Sequence, residues 1–191
     1  MSPRFVLWGL GVYAVLSVAV SCSGDVATPR QRAYPRAALY DTVYVKAEGF
    51  PVRFDVNARV DLRRDSVRQG WFDIVYPGYF GASVVNCTLL EASGDALHDA
   101  IDNRVERMSL NAGGLHGEAV TLQSDGGWRC ELIVTPSSRV IPVQFLAENG
   151  RYLLTGTYNI PVDAGTFDPD SAAPYIDAVS HDMIRLLKSL E

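Results

Sequence analysis

Between residues 117 and 160 the chain carries four β-type runs in close order, at 117–123, 128–135, 140–147 and 151–160. Asp125-Gly126-Gly127 and Glu148-Asn149-Gly150 lie between neighbouring runs, and glycine accepts the positive φ that hairpin turns require. Strands linked by turns this short predict an antiparallel sheet.

The preceding segment adds to that sheet. Tyr40, Thr42 and Tyr44 alternate with Val43 and Val45, and Val52, Phe54, Val56, Ala58, Val60 and Leu62 follow at period two; each run reads as one strand with one buried face. Trp71-Phe72-Asp73-Ile74-Val75-Tyr76 is a third strand, and Pro77-Gly78 reverses the chain before β-type composition resumes over 82–90. A helix is expected over 95–110, with Leu97, Ile101, Val105 and Met108 on one stripe, Asp99, Asp102, Arg104 and Glu106 away from it, and Gly113-Gly114 as its stop. A second is expected over 170–190, where Ile176, Val179, Met183, Leu186, Leu187 and Leu190 fall at helical spacing behind the caps Asp168, Asp170 and Ser171, with Pro169 or Pro174 in the first turn. The fold class is therefore α+β: a mainly antiparallel sheet of about six to seven strands covered by a central and a C-terminal helix. The strand order is not legible.

The N-terminus is of another kind. Arg4 precedes an apolar stretch from Phe5 to Val20 that ends in Ser21-Cys22, which reads as a secretory signal peptide over 1–21. Val18-Ala19-Val20-Ser21-Cys22 resembles a bacterial lipobox, with Ala19 in place of the usual leucine, and so implies cleavage before Cys22 and acylation of its thiol; several acyl chains suffice for stable membrane residence. Residues 22–38, with Gly24, Pro29 and Pro35 and no hydrophobic period, read as a tether, and 39–191 as a single domain, a length that can bury a real core. With 17 Lys and Arg against 22 Asp and Glu, the net charge of −5 has the wrong sign for a nucleic-acid partner.

A search for chemistry yields little. The G-x-S-x-G elbow of serine hydrolases is missing from the sequence. His98, His116 and His181, the three imidazoles of the chain, fit no H-E-x-x-H pattern and read as solvated or capping groups. Asp163, Asp168 and Asp170 lack the spacing of a calcium loop. No catalytic residue, metal or cofactor is assigned. Cys87 and Cys130 each lie in an expected strand; a disulfide between them is one reading, since an exported chain meets an oxidising compartment, and two separately buried thiols the other. Tyr76, Tyr79 and Phe80 around Pro77-Gly78, with Trp71 nearby, read either as a recognition surface or as aromatics folded over the sheet edge.

The C-terminal third contains Ile141-Pro142-Val143-Gln144-Phe145-Leu146, Tyr152-Leu153-Leu154-Thr155-Gly156-Thr157-Tyr158 and Asp170-Ser171-Ala172-Ala173-Pro174-Tyr175-Ile176-Asp177. These blocks resemble the P-x-Q-F strand, the F-L-R-G-x-L-Y strand and the D-S-x-x-P-x-I-D helix opening of the GldD family of gliding-motility lipoproteins from the Bacteroidota. Pro29-Arg30-Gln31-Arg32-Ala33-Tyr34 and Ile74-Val75-Tyr76-Pro77-Gly78-Tyr79 are weaker echoes. The sequence departs from the family at Pro35, at Gly156 after Thr155, and at its Ser189-Leu190-Glu191 ending. The resemblance implies an accessory lipoprotein facing the periplasm, held to a membrane by its lipid anchor, with protein partners in the gliding and type IX secretion apparatus. The alternative is a lipoprotein that binds a small ligand or glycan by stacking on Trp71, Tyr76, Tyr79 and Trp128. Within the shared blocks, Gln144 should bond backbone or face outward, and Gly156 should mark a close approach, with the terminal helix expected across it.

Overall fold

The turn-linked runs become strands of one seven-stranded sheet in the computed structural model, which describes residues 39–161 and 168–191. The expected signal segment, Cys22, the tether and Asp163 lie outside the described residues. In chain order the elements are β1 (Tyr44–Lys46), β2 (Asp55–Asn57), β3 (Asp61–Arg64), β4 (Trp71–Tyr76), β5 (Ser83–Glu91), α1 (Asp95–Ala112), β6 (Glu118–Gln123), β7 (Arg129–Val134), β8 (Val143–Glu148), β9 (Tyr152–Asn159) and α2 (Pro169–Lys188). The main sheet runs β3-β4-β5-β9-β8-β7-β6, and β1-β2 form a separate two-stranded ribbon. All pairings among these strands are antiparallel. The α+β class with a central and a C-terminal helix is the one expected.

Two meanders, β3-β4-β5 and β6-β7-β8-β9, meet where β5 pairs with β9, from Val84 opposite Asn159 to Glu91 opposite Tyr152. The connection from the first meander to the second carries α1. The run 52–62, expected as one strand, is divided between the two sheets. Asn57 divides it: its side-chain oxygen accepts from Arg59 N–H at 3.0 Å and its carbonyl from Val60 N–H at 3.3 Å, a local turn that outcompetes continued pairing.

Alternation then assigns the faces. Phe72, Ile74, Tyr76, Val85, Cys87, Leu132, Phe145 and Leu154 point to one side, where Ile176, Val179, Met183, Leu186, Leu187 and Leu190 of α2 and its C-terminal turn bury completely against them. Each such side chain contributes about 1.5–3 kcal/mol through removal from water. On the other side Leu97 and Met108 of α1 pack with Leu146 and Leu153. Strand β8, covered from both sides, is buried at all six positions.

Both helix boundaries follow the expected signals. Gly113 adopts the left-handed conformation at φ 59° and closes α1 by donating to Leu110 O. Asp168 caps α2, accepting from Asp170 N–H at 3.3 Å and from Ser171 Oγ at 2.7 Å, with Pro169 in the first turn. The phase of α1 differs from expectation. Val105, assigned to the apolar stripe, is 48% exposed, and Arg104, assigned to the outer face, is half-buried.

Candidate functional site

The aromatic loop was the first candidate surface, and the structure dismantles it. Tyr76 and Tyr79 are fully buried, as is Trp128; Trp71 is 43% exposed, with the Arg68 guanidinium 4.2 Å above its ring. Phe80 is half-buried against Tyr175, ring centroids 4.8 Å apart. The turn after β4 folds back because Tyr79 N–H bonds Tyr76 O at 3.0 Å while Phe80 and Ala82 take positive φ, 48° and 121°. Tyr79 is thereby driven inward against Tyr40, at 4.5 Å, and Tyr175, at 4.9 Å. Its hydroxyl accepts from Tyr40 N–H at 2.9 Å, and the Tyr40 hydroxyl accepts from Gly78 N–H at 2.8 Å. The stack proposed for a glycan, Trp71, Tyr76, Tyr79 and Trp128, is therefore not a surface.

A cluster that sequence reasoning missed lies beside this loop. Asp182 is buried on α2 and accepts from Tyr44 Oη at 2.7 Å, Tyr76 Oη at 3.1 Å and Asn57 Nδ2 at 3.4 Å. Burial raises its carboxyl above the ordinary aspartate value, and the bonds from Tyr44, Asn57 and Tyr76 offset that only in part. Burial, with the nearby carboxyl, pushes Tyr44 up to about 12 and Tyr76 well above the ordinary phenol value, so both phenols keep their protons and donate at neutral pH. Further along the same helix, Arg185 Nη2 reaches Asp55 Oδ2 at 2.8 Å, Lys46 Nζ sits 3.0 Å from Asp55 Oδ1, and Ser189 Oγ accepts from Asp55 N–H at 2.7 Å. Asp182, Arg185 and Ser189 recur at about one-turn intervals, and together they latch the β1-β2 ribbon onto α2. The sequence held a faint signal: Asp182 falls three residues after Val179 and four before Leu186, inside the apolar stripe.

The disulfide reading is also corrected. Cys87 on β5 and Cys130 on β7 are free, buried thiols. Strands β9 and β8 stand between them, so their Cα atoms are roughly 14 Å apart at about 4.8 Å per strand, beyond the roughly 7 Å a disulfide spans. Cys87 Sγ contacts Val85 O at 3.7 Å, and Cys130 Sγ contacts Trp128 O at 3.7 Å and Leu187 O at 3.8 Å. Burial raises both thiols, Cys130 to about 11, which leaves them protonated and unreactive at neutral pH.

The shared blocks named above become β8, β9 and the first half of α2. Gln144 is buried in β8; its Nε2 donates to Met108 O at 3.1 Å and its Oε1 accepts from Asn111 Nδ2 at 2.9 Å. The amide thus ties the sheet to the last turn of α1. Gly156 marks a close approach, though the Phe145 ring, not the terminal helix, makes it: a Cβ there would lie 2.2 Å from Phe145 Cε1. The histidines His98, His116 and His181 are all exposed.

No protein-family model matches this chain, and comparison with curated proteins finds no match.

The candidate surface that stays open is the β6 edge. Strand β6 pairs with β7 alone among the described residues, and five of its six residues are exposed. Val120 on the strand itself is 39% exposed, and Leu115 in the connection that leads into it 45%. An unpaired edge offers backbone N–H and C=O groups to an added strand, and the exposed side chains offer apolar contact.

Proposed function

We propose that this protein is a membrane-anchored lipoprotein facing the periplasm, serving as a non-catalytic accessory component of the gliding motility and type IX secretion machinery, and that it docks its protein partner through β6. The open, exposed edge of β6, with Val120 on it and Leu115 just before it, is the observation that carries the docking reading. The resemblance of the β8, β9 and α2 blocks to the GldD family supports the choice of machinery. A lipid anchor at Cys22 would confine the domain near its partner and raise the effective concentration for a weak edge contact.

Complementation of a gene deletion in the native organism tests this. Surface spreading, or release of type IX cargo in a species that does not glide, should be lost on deletion and restored by the wild type and by His98→Ala, His116→Ala and His181→Ala. Cys22→Ser and the double variant Leu115→Lys with Val120→Lys should fail to restore it, the latter while retaining wild-type thermal stability, since exposed positions tolerate substitution within about 0.5 kcal/mol. Full restoration by the β6 variant would remove the docking surface, and failure of a folded histidine variant would expose an overlooked site.

A further inference from the structure

The observed phase of α1 places a charge where the helix meets the sheet. Leu97, Met108 and the partly buried Ile101 face Leu146 and Leu153, and Arg104 occupies the turn between Ile101 and Met108 on that inward side, half-buried. Below it are Thr88 of β5 and Thr155 of β9, direct cross-strand partners. A cleft of about 440 Å³ opens here, its floor formed by these threonines with Leu90 and Leu153, its wall by α1 with Asn103, Arg104 and Arg107. Asp99 is the one carboxylate among the lining residues.

Neither arginine has a carboxylate partner among the described residues. The seven ion pairs involve other cations, and Arg107 Nε donates to the neutral Asn103 Oδ1 at 3.1 Å. Burial, then the charge of Arg107, lowers Arg104 below the ordinary guanidinium value, which expresses the cost of holding two like charges together in a partly dry place. The neighbouring hydroxyls of Thr88 and Thr155 are donors on the opposite side of the same cleft.

We propose that this cleft binds a phosphate-bearing ligand, with Arg104 and Arg107 on its oxygens from the helix side and Thr88 and Thr155 from the sheet side. Guanidinium groups match oxyanions in bidentate geometry. Donors converging from wall and floor suit a tetrahedral group better than a planar carboxylate, and two cations suit its greater charge. Leu90 and Leu153 give an apolar flank for the organic part of the ligand. A phospholipid headgroup and a soluble phosphate monoester share this chemistry.

The full-length purified chain is titrated with sodium phosphate at fixed ionic strength, with sodium chloride as control, and binding is read from the thermal midpoint. Wild type should shift upward with phosphate and not with chloride. Arg104→Met, which keeps much of the volume and removes the charge, should weaken phosphate binding about tenfold or more, while its midpoint without phosphate equals or exceeds that of the wild type. Thr88→Val should show a smaller loss in the same direction. No phosphate-specific shift in the wild type, or an equal shift in Arg104→Met, overturns the proposal. The same titration with a soluble short-chain phosphatidic acid, against short-chain phosphatidylcholine, separates the sources. An Arg104-dependent gain on phosphatidic acid assigns a lipid headgroup; phosphate and glycerol 3-phosphate binding without that gain assigns a soluble ligand.

Discussion

Asp55 and Asp182 both serve the contact between the β1-β2 ribbon and α2, yet they respond to pH in opposite directions. Burial pushes Asp55 up, but the bonds and charges of Lys46 and Arg185 outweigh it and hold the carboxyl below its ordinary value of 3.8. Its contribution is therefore present above that value and lost as pH falls through the folded one. Asp182, raised by burial, favours its protonated form, so stability from that group falls as pH rises from the ordinary aspartate range through its folded value, and is level above it. In urea unfolding from about pH 7 down to about pH 3, Asp55→Asn should cost about 1 kcal/mol at the neutral end, because both cations are more than half exposed. The deficit should close in acid. Asp182→Asn should instead gain on the wild type as pH rises; parallel curves for the two variants would contradict both assignments. At Gly156 the position a Cβ would take is occupied by the Phe145 ring. Gly156→Ala should cost about 1–3 kcal/mol by overpacking, and Phe145→Leu in the same chain should recover part of it, measured as a double-mutant cycle.

The C-terminal end of α2 is stitched down by the turn between β6 and β7. Ser124 Oγ donates to Leu190 O at 2.8 Å and accepts from Trp128 N–H at 3.0 Å, Asp125 N–H bonds Lys188 O at 3.0 Å, and Gly126 N–H bonds Leu190 O at 3.0 Å. These bonds satisfy carbonyls that a helix end leaves unpaired. Ser124→Ala should destabilise by about 1–3 kcal/mol and speed the reaction of Cys130, which lies under Leu187, with a thiol reagent, while Cys87 stays as slow as in the wild type. Equal acceleration of both thiols would show global opening instead. Elements such as β4, β9 and α2 were legible to within a residue or two because period and turn chemistry agree there. The split at Asn57 was not, since alternation runs unbroken through a turn made by a side chain. Nor was the phase of α1, where Arg104 and Val105 are neighbours 100° apart and a small rotation exchanges them. The polar cluster was invisible for a further reason: Tyr44 and Tyr76 meet Asp182 across 138 and 106 residues, and such contacts leave no local pattern.

In the whole molecule, one helix closes the larger core. The sheet face that holds Phe72, Ile74, Tyr76, Leu132 and Phe145 is covered by α2, and Glu191 exchanges backbone hydrogen bonds with Arg53 at 3.0 and 3.2 Å. A chain stopped after residue 161 should therefore bind a hydrophobic dye and unfold without a cooperative transition, although it retains every described strand; a sharp transition in that truncation would show the sheet to be self-sufficient. The seam between the meanders is equally distributed in sequence, for β5 waits on β9 across α1 and three further strands. Synthesis proceeds from the other end. When the ribosome has finished the nine described strands, the apolar side of the sheet is still bare, and the element that covers it is the last of the described elements to be made. Closure of this core thus waits on α2, and a chain cut by a stop codon before that helix leaves an adhesive sheet rather than a smaller working protein.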